Sequence, residues 1–378
     1  GERRAIASKG AFYFDGRLAW KWKDWIDRRF MKRFYSLPEM QVEEPNSLVG
    51  EFESKMFCGG CGSKVSADTL SEVLTKVLGN KAPKGDAAVI EIPKGKVLLQ
   101  SVDHFRSFLN DPYTQARIAL CHAMSDVYAC GGNPVSVLAS ITLPFSKPEI
   151  SQDYLSQLVH GILHQLEKDN AELIGGHTSE GEELSIGFTV NGLGEPSRLR
   201  EKKIIEPGLS IVLTKQLGVG AIFAADMQHK SKAEWVHEGI ESMLISNRFA
   251  SELATDFGVR SCTDITGFGL AGHLLEMIGP EVGVEIDLDK IPCLPGSLEV
   301  INGLKIRSSL HDANKKASKL GVLHEKSEIL FDPQTSGGLV LAVKKSRATE
   351  MISSLVHKGY NHAAIIGESI PESCLRVK

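Results

Sequence analysis

Cys58-Gly-Gly-Cys61-Gly-Ser-Lys64 puts two thiols and an ammonium group in one short stretch. Its glycines permit backbone conformations that a Cβ forbids and allow close approach to a ligand. Lys64 near Cys61 favours the thiolate, the form that attacks electrophiles or carries a soft atom. Cys61 and Lys64 are the candidate catalytic pair. A single C-x-x-C is also half a zinc site or a redox disulfide. Zinc wants four ligands, however, and Cys121, Cys130, Cys262, Cys293 and Cys374 stand singly, with no second pair.

Downstream, aspartates recur in glycine-rich or turn-like settings: Gly85-Asp86, Asp103 at the end of an apolar run, Asp126 on a helix, Thr263-Asp264-Ile-Thr-Gly-Phe-Gly269 and Asp332-Pro-Gln-Thr-Ser-Gly-Gly338. One Asp beside Gly is an ordinary turn. A set of them, joined by Gly175-Gly176-His177-Thr178, points to Mg-nucleotide chemistry. Hard divalent cations bind through a few carboxylates plus substrate phosphates, and glycines leave room for those phosphates. Gly60 to Lys64 runs into a helix capped by Ser66, whose N-terminal amides favour anions, although the order is not that of a P-loop.

The elements that must position these residues read as alternating strands and helices. Strands are expected over 88–92, 97–102, 134–142, 172–174, 184–193, 210–214, 283–288, 338–343 and 362–366. Helices are expected over 70–78, 112–130, 152–168, 219–228, 246–257, 268–277 and 346–358. On the helix over 112–130, His122 and Asp126 lie four residues apart, off the apolar stripe. The fold class is α/β or α+β with mixed sheets packed with helices. The polar, turn-rich stretch 195–203 divides a domain over 51–203 from one over 204–378.

Residues 1–50 differ from the rest. Leu18, Trp22, Trp25, Ile26, Phe30 and Phe34 recur at helical spacing, with Arg17, Lys21, Lys23, Arg28, Arg29, Lys32 and Arg33 between them. Such a basic, aromatic helix over 17–35 lies on an anionic membrane surface or docks on its own chain. A net charge of −4 argues against general nucleic-acid binding. No apolar run reaches membrane-spanning length. Seven cysteines with no signal peptide ahead of them read as a reduced, cytoplasmic chain, peripheral to the membrane if the helix binds lipid.

In order, Cys61-Gly-Ser-Lys64, Gly85-Asp86-Ala-Ala-Val, Ser125-Asp126-Val-Tyr-Ala-Cys-Gly-Gly132, Gly175-Gly-His-Thr178, Thr263-Asp-Ile-Thr-Gly-Phe-Gly-Leu-Ala-Gly-His273 and Asp332-Pro-Gln-Thr-Ser-Gly-Gly338 resemble selenophosphate synthetase, also called selenide, water dikinase, over roughly residues 56–378. The resemblance implies the two-domain fold of the aminoimidazole ribonucleotide synthetase group, and conversion of ATP, selenide and water to selenophosphate, AMP and orthophosphate. It assigns Cys61 and Lys64 to catalysis and Asp86, Asp126 and Asp264 to Mg2+, with a monovalent cation as a further candidate. It places Lys64, Lys84, Gly85, Asp103 and Asp126 at the nucleotide, and brings Gly176, His177 and Thr178 to it across a homodimer interface.

The chain departs from the family pattern at three positions. Ser63 stands where some members have a second cysteine or selenocysteine, Phe57 where some have histidine, and His122 where some have asparagine. The stretch Gly16 to Phe30 is similar to the C-terminal end of type II NADH dehydrogenase-like flavoproteins, which implies a flavoprotein domain in cis. Two other readings stay open: a small-molecule kinase or ATP-dependent synthetase of the same wider group, and a non-catalytic nucleotide-binding protein.

Overall fold

The chain divides into two units, Gly1–Gly62 and Ser63–Lys378. The computed structural model describes residues 5–9, 12–35, 67–78, 90–320 and 324–378. In the first unit, β1 (Ala5–Lys9) and β2 (Phe12–Gly16) form an antiparallel hairpin that leads into α1 (Arg17–Tyr35). The expected amphipathic helix is present. Leu18, Trp22, Trp25, Ile26 and Phe30 lie along one exposed side, whereas Ala19 is buried.

The second unit holds two sheets. The first has the order β3-β6-β4-β5, built from β3 (Val97–Arg106), β4 (Asn133–Pro144), β5 (Glu172–Gly181) and β6 (Ser185–Gly194). Its β4·β5 pair is parallel and its other pairs are antiparallel. The second has the order β12-β9-β11-β7-β10-β8. Its strands are β7 (Leu209–Leu213), β8 (Cys262–Asp264), β9 (Gly283–Ile286), β10 (Leu339–Lys344), β11 (Ala364–Ile370) and β12 (Leu375–Val377). The sheets are mixed and packed with helices, as the element pattern required.

Helix α2 (Ala67–Leu78) packs on α4 (Pro148–Asp169), which packs on α3 (Pro112–Ala129). Helix α3 starts at a side-chain cap: the Asp111 carboxylate accepts from the Tyr113 and Thr114 amides, and Pro112 occupies the first turn. It touches β3 and β6 on one side and α6 (Ala233–Leu244), α7 (Arg248–Asp256) and β8 on another. Ile118, Leu120, Met124 and Tyr128 are all buried to within a few per cent. The expected single apolar stripe therefore understates this helix, which is covered on nearly every side and shows no strong amphipathic period. Helix α6 was not among the expected elements. The remaining helices are α5 (Val219–Asp226), α8 (Gly269–Met277), α9 (His311–Ser318) and α10 (Ala348–His357).

Two expectations change. Residues 90–92 carry no strand, and the rest of the run 88–92 lies outside the described residues. The short strand over 172–174 continues through the glycines to Gly181. The Gly176 backbone approaches β4 so closely that a Cβ there would lie 2.1 Å from the Ala139 carbonyl oxygen, so strand pairing alone demands this glycine. The polar stretch 195–203 also carries a buried arginine. Arg200 donates to the Tyr128 and Ser251 carbonyls and to the Ser251 and Thr255 hydroxyls, tying the end of α3 to α7. Buried Asp169 makes a second tie, accepting from Tyr128 on α3 and from Ser246 just ahead of α7.

Candidate active site

The site forms where β3 runs beside α3. Alternate residues of a strand advance by about 6.8 Å, close to the roughly 6 Å between residues four apart on a helix. Two rungs can therefore align. In the first, the Ser101 hydroxyl donates to Asp126 Oδ2 at 2.5 Å. In the second, Asp103 Oδ1 lies 3.9 Å from His122 Nε2. Phe105, the next residue on that strand face, meets the His122 ring edge-on at 5.4 Å. Asp103 thus lies inside a strand and faces the helix, rather than following the strand's end as expected. Period-2 alternation from Ser101 carries that signal.

Asp264 arrives from the other sheet, at the end of β8, with 6% exposure. Ser125, beside Asp126, is buried and turns the other way: its hydroxyl accepts from Asn247 Nδ2 at 2.9 Å and lies near enough to Asp264 to favour that group's charged form. The neighbours Ser125 and Asp126 thereby bring carboxylates of both sheets together. The electrostatics record that proximity. Burial first, then the Asp126 and Asp264 charges, push the Asp103 carboxyl up to about 7. Burial and then Asp126 push Asp264 up to about 6.

A cation would relieve this repulsion. Asp264 Oδ2 is buried with no hydrogen-bond partner among the described residues, as a carboxylate oxygen reserved for an ion would be. Among the described residues no three ligand side chains converge closely enough to hold a metal on their own. Asp126 and Asp264 suit a hard cation such as Mg2+, completed by other oxygens.

Other expected residues stand apart from this cluster within one chain or lie outside the described residues. Gly176, His177 and Thr178 lie on the edge strand β5, three strand spacings from β3, roughly 14 Å at about 4.8 Å per spacing. Phe57, Cys58, Cys61, Ser63, Lys64, Ser66, Lys84, Gly85 and Asp86 lie outside the described residues.

The two glycine loops of the second half meet each other. Ile265 N donates to the Gly338 carbonyl at 2.9 Å, and Gln334 N to the Thr266 carbonyl at 3.0 Å. His273 Nε2 accepts from the Thr266 amide, and the left-handed Gly269, whose Cβ would strike the Leu330 carbonyl oxygen at 2.7 Å, completes the turn. Asp332 is tied to its own loop through Gln334. It is fully buried, facing the Gly220 and Ala221 amides at the start of α5 and accepting from Gln334 Nε2. Burial outweighs those donors and pushes it up to about 7. Gln334 adds its own acceptor to the Gly218 and Val219 amides. The loop is an N-terminal clamp on α5.

Comparisons with known proteins agree with this architecture. Residues 84–194 match the family model described as AIR synthase related protein, N-terminal domain, and residues 206–378 match its C-terminal domain. "Selenide, water dikinase" of Clostridioides difficile (strain 630) is 31% identical over 329 residues, covering 83% of this chain and 94% of the relative. The protein of the same name from Desulfitobacterium hafniense (strain DSM 10664 / DCB-2) is 34% identical over 335 residues, covering 85% and 96%. Among solved structures, hydrogenase maturation protein HypE in complex with ATP has a TM-score of 0.64 at 18% identity, covering 83% of this chain and 88% of that one. Thiamine-monophosphate kinase from Stenotrophomonas maltophilia K279a has a TM-score of 0.62 at 15% identity, covering 83% and 97%. These two structures share the fold.

The raised Asp332 carboxyl generates a pH prediction. The unfolded chain releases this proton near pH 4 and the folded chain holds it to about 7. The group's stability contribution is therefore complete below about pH 4 and lost as pH rises through 7, on the order of a few kcal/mol. Asp332→Asn removes this part of the slope, leaving the variant more stable than the parent at pH 8. Urea unfolding across pH 5–8 with an unchanged slope in the variant would refute the assignment.

Proposed function

The chain belongs to the selenide, water dikinase family, and on that premise we propose that it converts ATP, selenide and water to selenophosphate, AMP and orthophosphate at the acidic cluster beside α3. The observation that carries this reading is the convergence of Asp103, Asp126 and Asp264 from both sheets, with a buried Asp264 oxygen left without a partner. Mg2+, held by Asp126 and Asp264 with Asp86, would supply charge neutralisation and Lewis acidity toward the polyphosphate when bound. Lys64 offsets charge that builds on the leaving phosphate. Lys84, Gly85 and Asp103 contact the nucleotide. Cys61, as thiolate, holds or positions the selenium nucleophile, which takes one phosphoryl group, while water takes the next to give orthophosphate and AMP.

The active assembly is a homodimer. Its support is the distance of Gly176, His177 and Thr178 from Asp103 within one chain: on an edge strand where Gly176 and His177 are exposed, they serve a partner's nucleotide more readily than their own. Val102, 69% exposed on the sheet face opposite the helices, adds apolar area for such an interface.

The helix α1 contacts an anionic membrane surface from the cytoplasmic side. Leu18, Trp25 and Ile26 lie on its exposed apolar side with Trp22 and Phe30. Asp24 and Asp27 are spent on Arg28 and Lys23, and the Arg29 guanidinium covers the Trp25 ring, so the surplus charge is basic. No helix of the described residues is long and apolar enough to cross a membrane.

Three measurements check this reading. Anaerobic phosphorus NMR with Mg-ATP should show selenophosphate, AMP and orthophosphate only with selenide and intact Cys61, with Cys61→Ala losing at least a hundredfold. ADP as the end product, or turnover without selenide, would favour another kinase chemistry. Mixing Asp126→Asn with His177→Ala chains, each weakly active alone, should restore activity through mixed dimers, whereas strict averaging of the two would contradict shared sites. Flotation with vesicles containing phosphatidylglycerol should carry the protein, and Trp25→Ala with Ile26→Ala should release it; indifference to vesicle charge would remove the membrane role.

A further inference from the structure

His122 joins the two halves of the site, and its two ring nitrogens face different halves. Nδ1 accepts from the Ser336 backbone amide at 3.0 Å. A nitrogen that accepts an N–H carries its lone pair there, so the proton of the neutral ring sits on Nε2. Burial favours that neutral ring, lowering its pKa to about 4 against the opposing pull of Asp126. Nε2 is the nitrogen on the Asp103 side, 3.9 Å from Oδ1. Phe105 fixes the plane of the ring.

The donor that sets this tautomer is itself held from several directions. Ser336 adopts a left-handed φ of 48°, a costly conformation for a residue with a Cβ. Its hydroxyl donates to the Met243 carbonyl at 2.7 Å, and its own carbonyl accepts from the buried Lys215 Nζ at 2.9 Å. Lys215 is anchored again by the Ile245 carbonyl, and the next residue, Gly337, by Asn247 Nδ2. A strained residue pinned at this many points presents its amide in one direction.

We infer that His122 is a positioning residue: the Ser336 amide locks its tautomer so that a permanent N–H donor from α3 faces the Asp103 carboxylate and holds it toward the nucleotide. This rests on the reading that Asp103 contacts ATP. The 3.9 Å gap is wider than a hydrogen bond, and it also leaves both groups within reach of one bridging hydroxyl or water oxygen, which can accept from Nε2–H and donate to the carboxylate. The backbone of the second half thereby sets the chemistry of a side chain in the first. An asparagine at this position has both an acceptor and a donor and can perform the same two tasks. A leucine has neither.

The test combines kinetics with a spectroscopic signature. Long-range nitrogen–proton correlation spectra of protein labelled with ¹⁵N-histidine should show His122 protonated at Nε2 and bare at Nδ1. In selenide-dependent turnover, His122→Leu should raise the KM for ATP about tenfold or more with a smaller change in kcat, and His122→Asn should recover most of that loss. Placed in an Asp103→Asn background, His122→Leu should add little. A proton on Nδ1, full additivity with Asp103→Asn, or an unchanged KM in His122→Leu alongside a raised KM in Asp103→Asn would each overturn the positioning role. An unchanged KM in Asp103→Asn itself would overturn the nucleotide contact on which the inference rests, while the spectrum still decides the tautomer.

Discussion

Burial of α3 between the two sheets is the constraint on which the rest depends. A helix covered on nearly every side has few positions left for polar groups, and toward the site this one places His122, Ser125 and Asp126. Each is answered by a different element: β3 through Ser101 and Asp103, β8 through Asp264, and the loop before β10 through Ser336. The near match of strand and helix repeats turns this packing into paired rungs. Carboxylates that are far apart in the chain become neighbours because the sheets share one helix.

That arrangement is costly by itself. Acids gathered in a partly dry site repel one another and lose hydration, which is why Asp103 and Asp264 both hold protons well above the usual carboxylate range. Nearby cations are directed elsewhere: Lys215 is turned onto two carbonyls, and Arg200 onto the seam between α3 and α7. The charge is left for a ligand to balance, which suits a polyphosphate brought with its metal. Asp332 shows the opposite use of the same side chain. Equally buried, it accepts from Gln334 Nε2, and Gln334 in turn accepts from the amides at the start of α5, so the pair holds a loop in shape.

Much of this was legible in the sequence where a local rule applied. The order of motifs identified the family; Asp264 stood out beside Thr263 and the glycines of its loop, and Asp126 stood out by lying off the apolar stripe of its helix, four residues from His122. The fold class followed from alternating elements. What local rules missed depends on tertiary contact. Ser101 looks like any strand serine until α3 lies beside it. Arg200 sits in a stretch whose polarity reads as linker, because its buried partners are carbonyl groups invisible in composition. The Gly175-Gly176 pair reads as a ligand cradle, yet the Ala139 carbonyl already requires Gly176. For α3, total burial erased the amphipathic period that would have given its orientation.

The central claim is that a metal–nucleotide complex seats between carboxylates of the two sheets. Anomalous diffraction from crystals grown with Mn2+ and a non-hydrolysable ATP analogue tests it most directly. The account predicts a manganese peak bonded to Asp126 and Asp264, with the phosphates over the β3 side of α3. A nucleotide bound with its metal away from both carboxylates would contradict it.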